Sequence, residues 1–251
     1  SVAAHGEPGH VRFTATLGGA GSDRLDGTLN LADGAIDTPV LQVPAFHGAG
    51  KLRVEDFRLG TATISLTVPE FTAPSLPGGL TGTIEAEASY GNGKGDLRLS
   101  FVEAQGGRGA RGTIVLSDVA GDADTLSVDV LVDGGLQRLD SNGVALRNIT
   151  AHLPLSVRRN GAVVTLAVAG EARIAAARAS GAGVTARDPV LVTLPATGTP
   201  LATLTLDDAG ELAAVDQVVT ATMTPIRLRG DSVSGIPDIE LSETRLTYIG
   251  R

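Results

Sequence analysis

Residues 63–68 read TISLTV, and the parity of these six positions decides the fold. Ile64, Leu66 and Val68 are apolar while Thr63, Ser65 and Thr67 are polar. A period of two sends the two sets to opposite faces of a β-strand. The same alternation spreads in both directions. Upstream, Val11, Phe13, Ala15 and Leu17 interleave with Arg12, Thr14 and Thr16. Downstream come Leu97, Leu99 and Phe101; Ile114 and Leu116; Leu126, Val128, Val130 and Val132; Val164, Leu166 and Val168; Leu204 and Leu206; and Val219, Ala221 and Met223.

Turn signals punctuate these runs: LADGA (31–35), LPGGL (76–80), YGNGKG (90–95), VDGGL (132–136), SNGV (141–144), RNGA (159–162) and DDAGE (207–211). Asn-Gly and Asp-Gly suit the positive φ angles of tight hairpins, whose strands pair antiparallel. The only helix candidates, EARIAAARAS (171–180) and ELAAVDQVV (211–219), are short and Ala-rich, and their neighbours favour strand or loop. DPVLVTLPATGTP (188–200) reads as a connector or an edge, because proline donates no ladder hydrogen bond. With no composition shift to mark a boundary, residues 1–251 are expected to form a single continuous all-β segment with a mostly antiparallel sheet.

Composition narrows the chemistry. Hydrophobic residues make up 42% of the chain and aromatics 3%, with no Trp or Cys, so the apolar material is almost entirely Val, Leu, Ile and Ala. The net charge of −8 and scattered basic residues argue against a nucleic-acid partner, which requires clustered cations and stacking aromatics. No run of 18 apolar residues is present, so no transmembrane helix is expected in this chain. The opening SVAAHGEPGH lacks the basic and apolar regions of a signal peptide, and the chain is expected to be a fragment of a longer membrane-anchored protein.

One motif invites a metal. GGAGSDRLDG (18–27) begins with the calcium nonapeptide spelling, yet a single copy supplies only half of a β-roll site. The following nonapeptide places Ala32 at the carboxylate position, and GGRGARG (106–112) places Arg111 there. The stretch therefore reads as a hairpin turn. Asp118, Asp122 and Asp124 read as a solvated loop, and His5, His10, His47 and His152 are dispersed. Glu85 with Glu87, and Asp238 with Glu240, look like solubilising pairs on strands. Without a nucleophile elbow, a phosphate loop or a cysteine, no enzymatic activity, cofactor or metal is expected.

KLRVEDFRLGTATISLTVPEF (51–71) resembles the repeating unit of the bacterial AsmA-like proteins, the family that includes TamB-, YhdP- and YdbH-type members, with the YdbH-like branch nearest in cadence. VALRNITAHLPLSV (144–157), IELSETRLTY (239–248) and GTLNLADGAI (27–36) share that cadence. The resemblance implies an elongated sheet curled into an open U-shaped groove lined by aliphatic side chains. It also implies a place in the periplasm of a diderm bacterium, with the full-length protein anchored in the inner membrane, and a role in moving phospholipids or other acyl-chain lipids to the outer membrane. A periplasmic or outer-membrane protein partner would fit that role.

The positions whose parity marks them as groove lining are Ile64, Leu66, Val68, Leu97, Leu99, Phe101, Ile114, Leu116, Val128, Val130, Val132, Val164, Leu166 and Val168. The same alternation also builds the sealed core of a β-sandwich or barrel, or a β-helix, so both readings stand at this point. The competing function is a structural or adhesive extracellular β-protein, such as a surface-layer, passenger or β-helix segment.

Overall fold

The computed structural model describes residues 12–19, 24–37, 41–56, 58–74, 79–105, 107–121, 124–207, 212–230 and 235–250. Among these residues there are eighteen strands and no helix, and the paired strands run antiparallel. The strands fall into two compact units, Ser1–Gly107 with Thr113–Asp118 and Arg108–Gly112 with Val119–Arg251.

The first unit is a meander. β1 (Arg12–Gly19), β2 (Arg24–Asp37), β3 (Gln42–Glu55), β4 (Arg58–Thr72), β5 (Thr81–Gly91) and β6 (Lys94–Gln105) each pair with the next. The β5–β6 link illustrates the local chemistry. Asn92 and Gly93 have φ angles of 54° and 76°, the left-handed pair that a two-residue hairpin with the native strand twist requires. β7 (Arg111–Gly121) gives Thr113–Asp118 to this unit.

The second unit is organised around long strands. β8 (Thr125–Ser141) pairs along its length with β9 (Val144–Asn160), through a turn in which Asn142 and Gly143 are again left-handed. The far edge of β9 is shared by β10 (Val163–Val168) and β11 (Ala172–Gly181). β10 then pairs with β14 (Pro200–Leu206), and β11 with β13 (Val190–Leu194). β15 (Leu212–Met223) spans both β14 and β13 and carries β18 (Thr244–Gly250) on its other side. β12 (Val184–Ala186) links β11 to β16 (Ile226–Gly230), which pairs with β17 (Ile239–Leu241).

Two turn expectations are corrected. LADGA (31–35) lies within β2, where the register with β3 shifts between Leu31 and Gly34, so this Asp-Gly marks a bulge. VDGGL (132–136) lies within β8. A side chain at Gly135 would meet the Ile149 carbonyl at 2.7 Å, so glycine here serves a close backbone approach. DPVLVTLPATGTP is not an edge, since β13 within it pairs on both sides, while its residues 195–199 do connect β13 to β14. Both Ala-rich helix candidates form strands, β11 and β15. In β11 the small side chains of Ala172 and Ala176 are buried, and ladder hydrogen bonds on both edges override the helical propensity of alanine.

Candidate functional site

Side chains directly opposite each other in an antiparallel ladder share a face, so the registers show which residues come together. Leu29, Gly50, Ile64, Ala88 and Leu97 form one row across β2 to β6. Leu31, Gly48, Leu66, Ala86 and Leu99 form the next. Val68, Ile84 and Phe101 form a third on β4 to β6. The opposite face carries Thr28, Lys51, Thr63, Ser89 and Asp96, then Asn30, Ala49, Ser65, Glu87 and Arg98. One face is thus aliphatic and the other polar.

The first two aliphatic rows alternate large with small residues. That pattern has a steric cause. A side chain at Gly48 would come within 2.6 Å of Leu66 Cδ2 and 2.4 Å of the Ser65 carbonyl. One at Gly50 would come within 3.0 Å of Ile64 Cγ1 and 2.5 Å of the Thr63 carbonyl. Leu66 and Ile64 therefore lie across the neighbouring strand on surface that only glycine leaves free. The result is a continuous aliphatic layer one side chain deep. Its large members, Leu29, Leu31, Ile64, Leu66, Leu97 and Leu99, are half-buried, whereas the small Ala86 beneath them is buried. Side chains clamped between two packed sheets lose nearly all contact with solvent, and these do not.

The third row differs. Val68, Ile84 and Phe101 pack against the buried cluster Val43, Phe71 and Ala73, together with Leu41, Phe46 and Leu80. Of the residues expected to line a groove, Val68 and Phe101 thus border a true core. Ile114 and Leu116 lie on β7, where residues 112–117 are uniformly half-buried and parity does not separate two faces.

In the second unit the registers join Val128, Val157, Leu166 and Ala202, then Val130, Leu155 and Val168, then Val132 and Leu153. Val164 sits opposite Leu204 and Arg159. Val128 and Val168 are buried, while Val130, Val132, Val164 and Leu166 are half-buried. Leu153, Leu155 and Val157 were not among the expected lining residues, although HLPLSV (152–157) alternates as plainly as TISLTV. Leu29 and Leu31 also lie outside the expected lining set, since the Asp-Gly that follows them reads as a turn in the sequence.

Several charged groups are paired on the surface. Asp26 accepts hydrogen bonds from Arg53 Nε at 2.9 Å and Arg24 Nε at 3.1 Å, and these guanidiniums, Arg53 first, hold its carboxyl below the ordinary value. Arg227 holds Asp188 low in the same way, donating from Nε at 2.9 Å and Nη2 at 2.7 Å, and its own pKa is raised in return. His152 Nδ1 lies 2.6 Å from Asp133 Oδ1. Glu85 and Glu87 are both exposed on β5, and Asp238 accepts from Arg187 at 2.5 Å.

No three His, Asp or Glu side chains converge on a cation site among the described residues. Asp118 is paired with Lys94 at 2.5 Å, and Asp122 lies outside the described residues, as do His5 and His10. The strands flanking GGAGSDRLDG, β1 and β2, pair antiparallel, whereas calcium nonapeptides belong to parallel β-helices. Residues 20–23 of that stretch lie outside the described residues.

Among the described residues, no helix is long and apolar enough to cross a membrane. No family model matches the chain, and no curated protein or solved structure matches it.

Proposed function

We propose that this chain is a non-enzymatic lipid-binding segment whose aliphatic sheet face receives the acyl chains of phospholipids. The observation that carries the reading is that the large side chains of the Leu29–Leu97 and Leu31–Leu99 rows are only half-buried, an aliphatic layer several strands wide. Contiguous apolar surface of this kind marks a place where something apolar docks. An acyl chain suits it because every methylene removed from water contributes about 0.8 kcal/mol, with no directional contact to arrest the cargo. Aromatic rings and hydrogen-bonding groups, which would fix one ligand in one pose, are missing from these two rows.

The cadence of residues 51–71 supports placing the chain with AsmA-like proteins. On that reading it works in the periplasm of a diderm bacterium, as part of a path for phospholipids between the two membranes. The experiment is native mass spectrometry of the purified chain followed by lipid extraction. Bound phospholipid is expected in the wild type and is lost in Leu66→Asp and Leu99→Asp, whose far-UV circular dichroism stays strand-like. A lipid-free wild type, or unfolding of both variants, favours instead a structural or adhesive extracellular β-protein.

A further inference from the structure

The second unit carries a charge arrangement that the lipid face does not explain. Arg138 on β8 stands directly opposite Arg147 on β9, and Arg147 stands opposite Arg178 on β11. Like charges in register across strands repel, and here two such pairs follow in series. Asp140 accepts hydrogen bonds from both Arg138 and Arg147, so one carboxylate serves two guanidiniums. Arg178 is exposed and makes no ion pair among the described residues.

The acids described around the neighbouring link are already engaged. β11 pairs with β12 at Ser180 and with β13 at Ala176, which sets Arg178 beside the link containing Arg187 and Asp188. Asp188 is taken by Arg227, and Arg187 is taken by Asp238. The row therefore holds an excess of positive charge in a chain whose net charge is −8, so a general basic character does not account for it.

We infer that Arg138, Arg147 and Arg178 form a binding site for a phosphate-bearing anion, either a free phosphate or the headgroup of a phospholipid. Neighbouring strands lie about 4.8 Å apart, so three guanidiniums on adjacent strands present a strip of planar forks. Phosphate oxygens accept from such forks in bidentate fashion. A bound anion turns the two repulsive contacts into attractive ones. The inference stands apart from the acyl-chain reading, because inorganic phosphate alone probes it.

The test uses the full chain at fixed ionic strength, titrated calorimetrically with inorganic phosphate and, separately, with dihexanoylphosphatidylglycerol. Binding of either, weakened roughly tenfold in Arg178→Gln and Arg147→Gln but unchanged in Arg98→Gln, supports the site. Response to phosphate assigns it to the anion itself. Response to the lipid alone assigns it to a headgroup that also needs its chains. Arg178→Lys keeps the charge and controls for folding, with binding retained in part. No binding of either probe, or equal binding by the wild type and Arg178→Gln, overturns the inference. Neither result depends on whether Leu66→Asp still carries lipid.

Discussion

Within the first unit, β4 to β6 bury their apolar side chains in two different ways, a few residues apart. At one end, Phe71 and Val43 are 4% and 3% exposed and close with Ala73 into a compact cluster. Farther along the same strands, Ile64, Leu66, Leu97 and Leu99 keep the same parity and similar chemistry but are only half-buried. The difference lies in what covers the sheet. Near Phe71 the pairing of β2 with β3 is bulged, and the Phe46 ring occupies the space that a side chain at Gly34 would need, with Cζ 2.2 Å from that position. Over the Leu66 row, the large side chains find glycine and alanine beside them and spread flat. Alternation thus specifies which face is apolar, and bulges and neighbouring side-chain volume decide whether that face is sealed.

This contrast predicts unequal costs. Phe71→Ala should lose about 3–5 kcal/mol in urea unfolding, the cost of emptying a closed site. Leu66→Ala should lose only about 1 kcal/mol, because Leu66 is half-buried and leaves no closed site behind. Equal losses would erase the distinction between the two regions. Gly48→Val comes next, at about 1–3 kcal/mol, since its side chain collides with the Ser65 carbonyl as well as with Leu66. A neutral Gly48→Val would mean that the flat aliphatic layer does not need the glycine.

The smallest effect belongs to the polar surface. Asp26, Asp140 and Asp188 are held below their ordinary value of 3.8, Asp26 first by Arg53, Asp140 by Arg147 and Asp188 by Arg227. A carboxyl lowered in the folded state contributes stability that is present above 3.8 and is lost as pH falls through the folded value. Thermal stability should therefore be level near neutrality and decline slightly below about pH 4. Asp26→Asn should flatten that decline in part, without altering the difference between Phe71→Ala and Leu66→Ala.

Much of this was legible in the residues. The parity of TISLTV placed Ile64, Leu66 and Val68 on one face, and Asn92-Gly93 and Asn142-Gly143 announced their hairpins. Asp33-Gly34 and Asp133-Gly134 misled, because Asp-Gly suits a bulge or a close backbone approach as well as a turn, and only the partner strand distinguishes them. The row structure was out of reach for a related reason. That Leu66 lies beside Gly48 and Ala86, or Arg147 between Arg138 and Arg178, depends on register between strands, which one strand's alternation does not carry. The closure around Phe71 depends on bulges that have no distinct spelling.

The central claim is that the Leu66 and Leu99 face is open to acyl chains, and the absence of native cysteine allows a direct measurement. Single Leu66→Cys, Leu99→Cys, Phe71→Cys and Ser65→Cys variants are reacted with a small maleimide, with and without dihexanoylphosphatidylglycerol. The account predicts ready labelling at positions 66, 99 and 65, slow labelling at 71, and protection by lipid at 66 and 99 only. Labelling at 66 and 99 as slow as at 71, or lipid protection equal at 65 and 66, would contradict it.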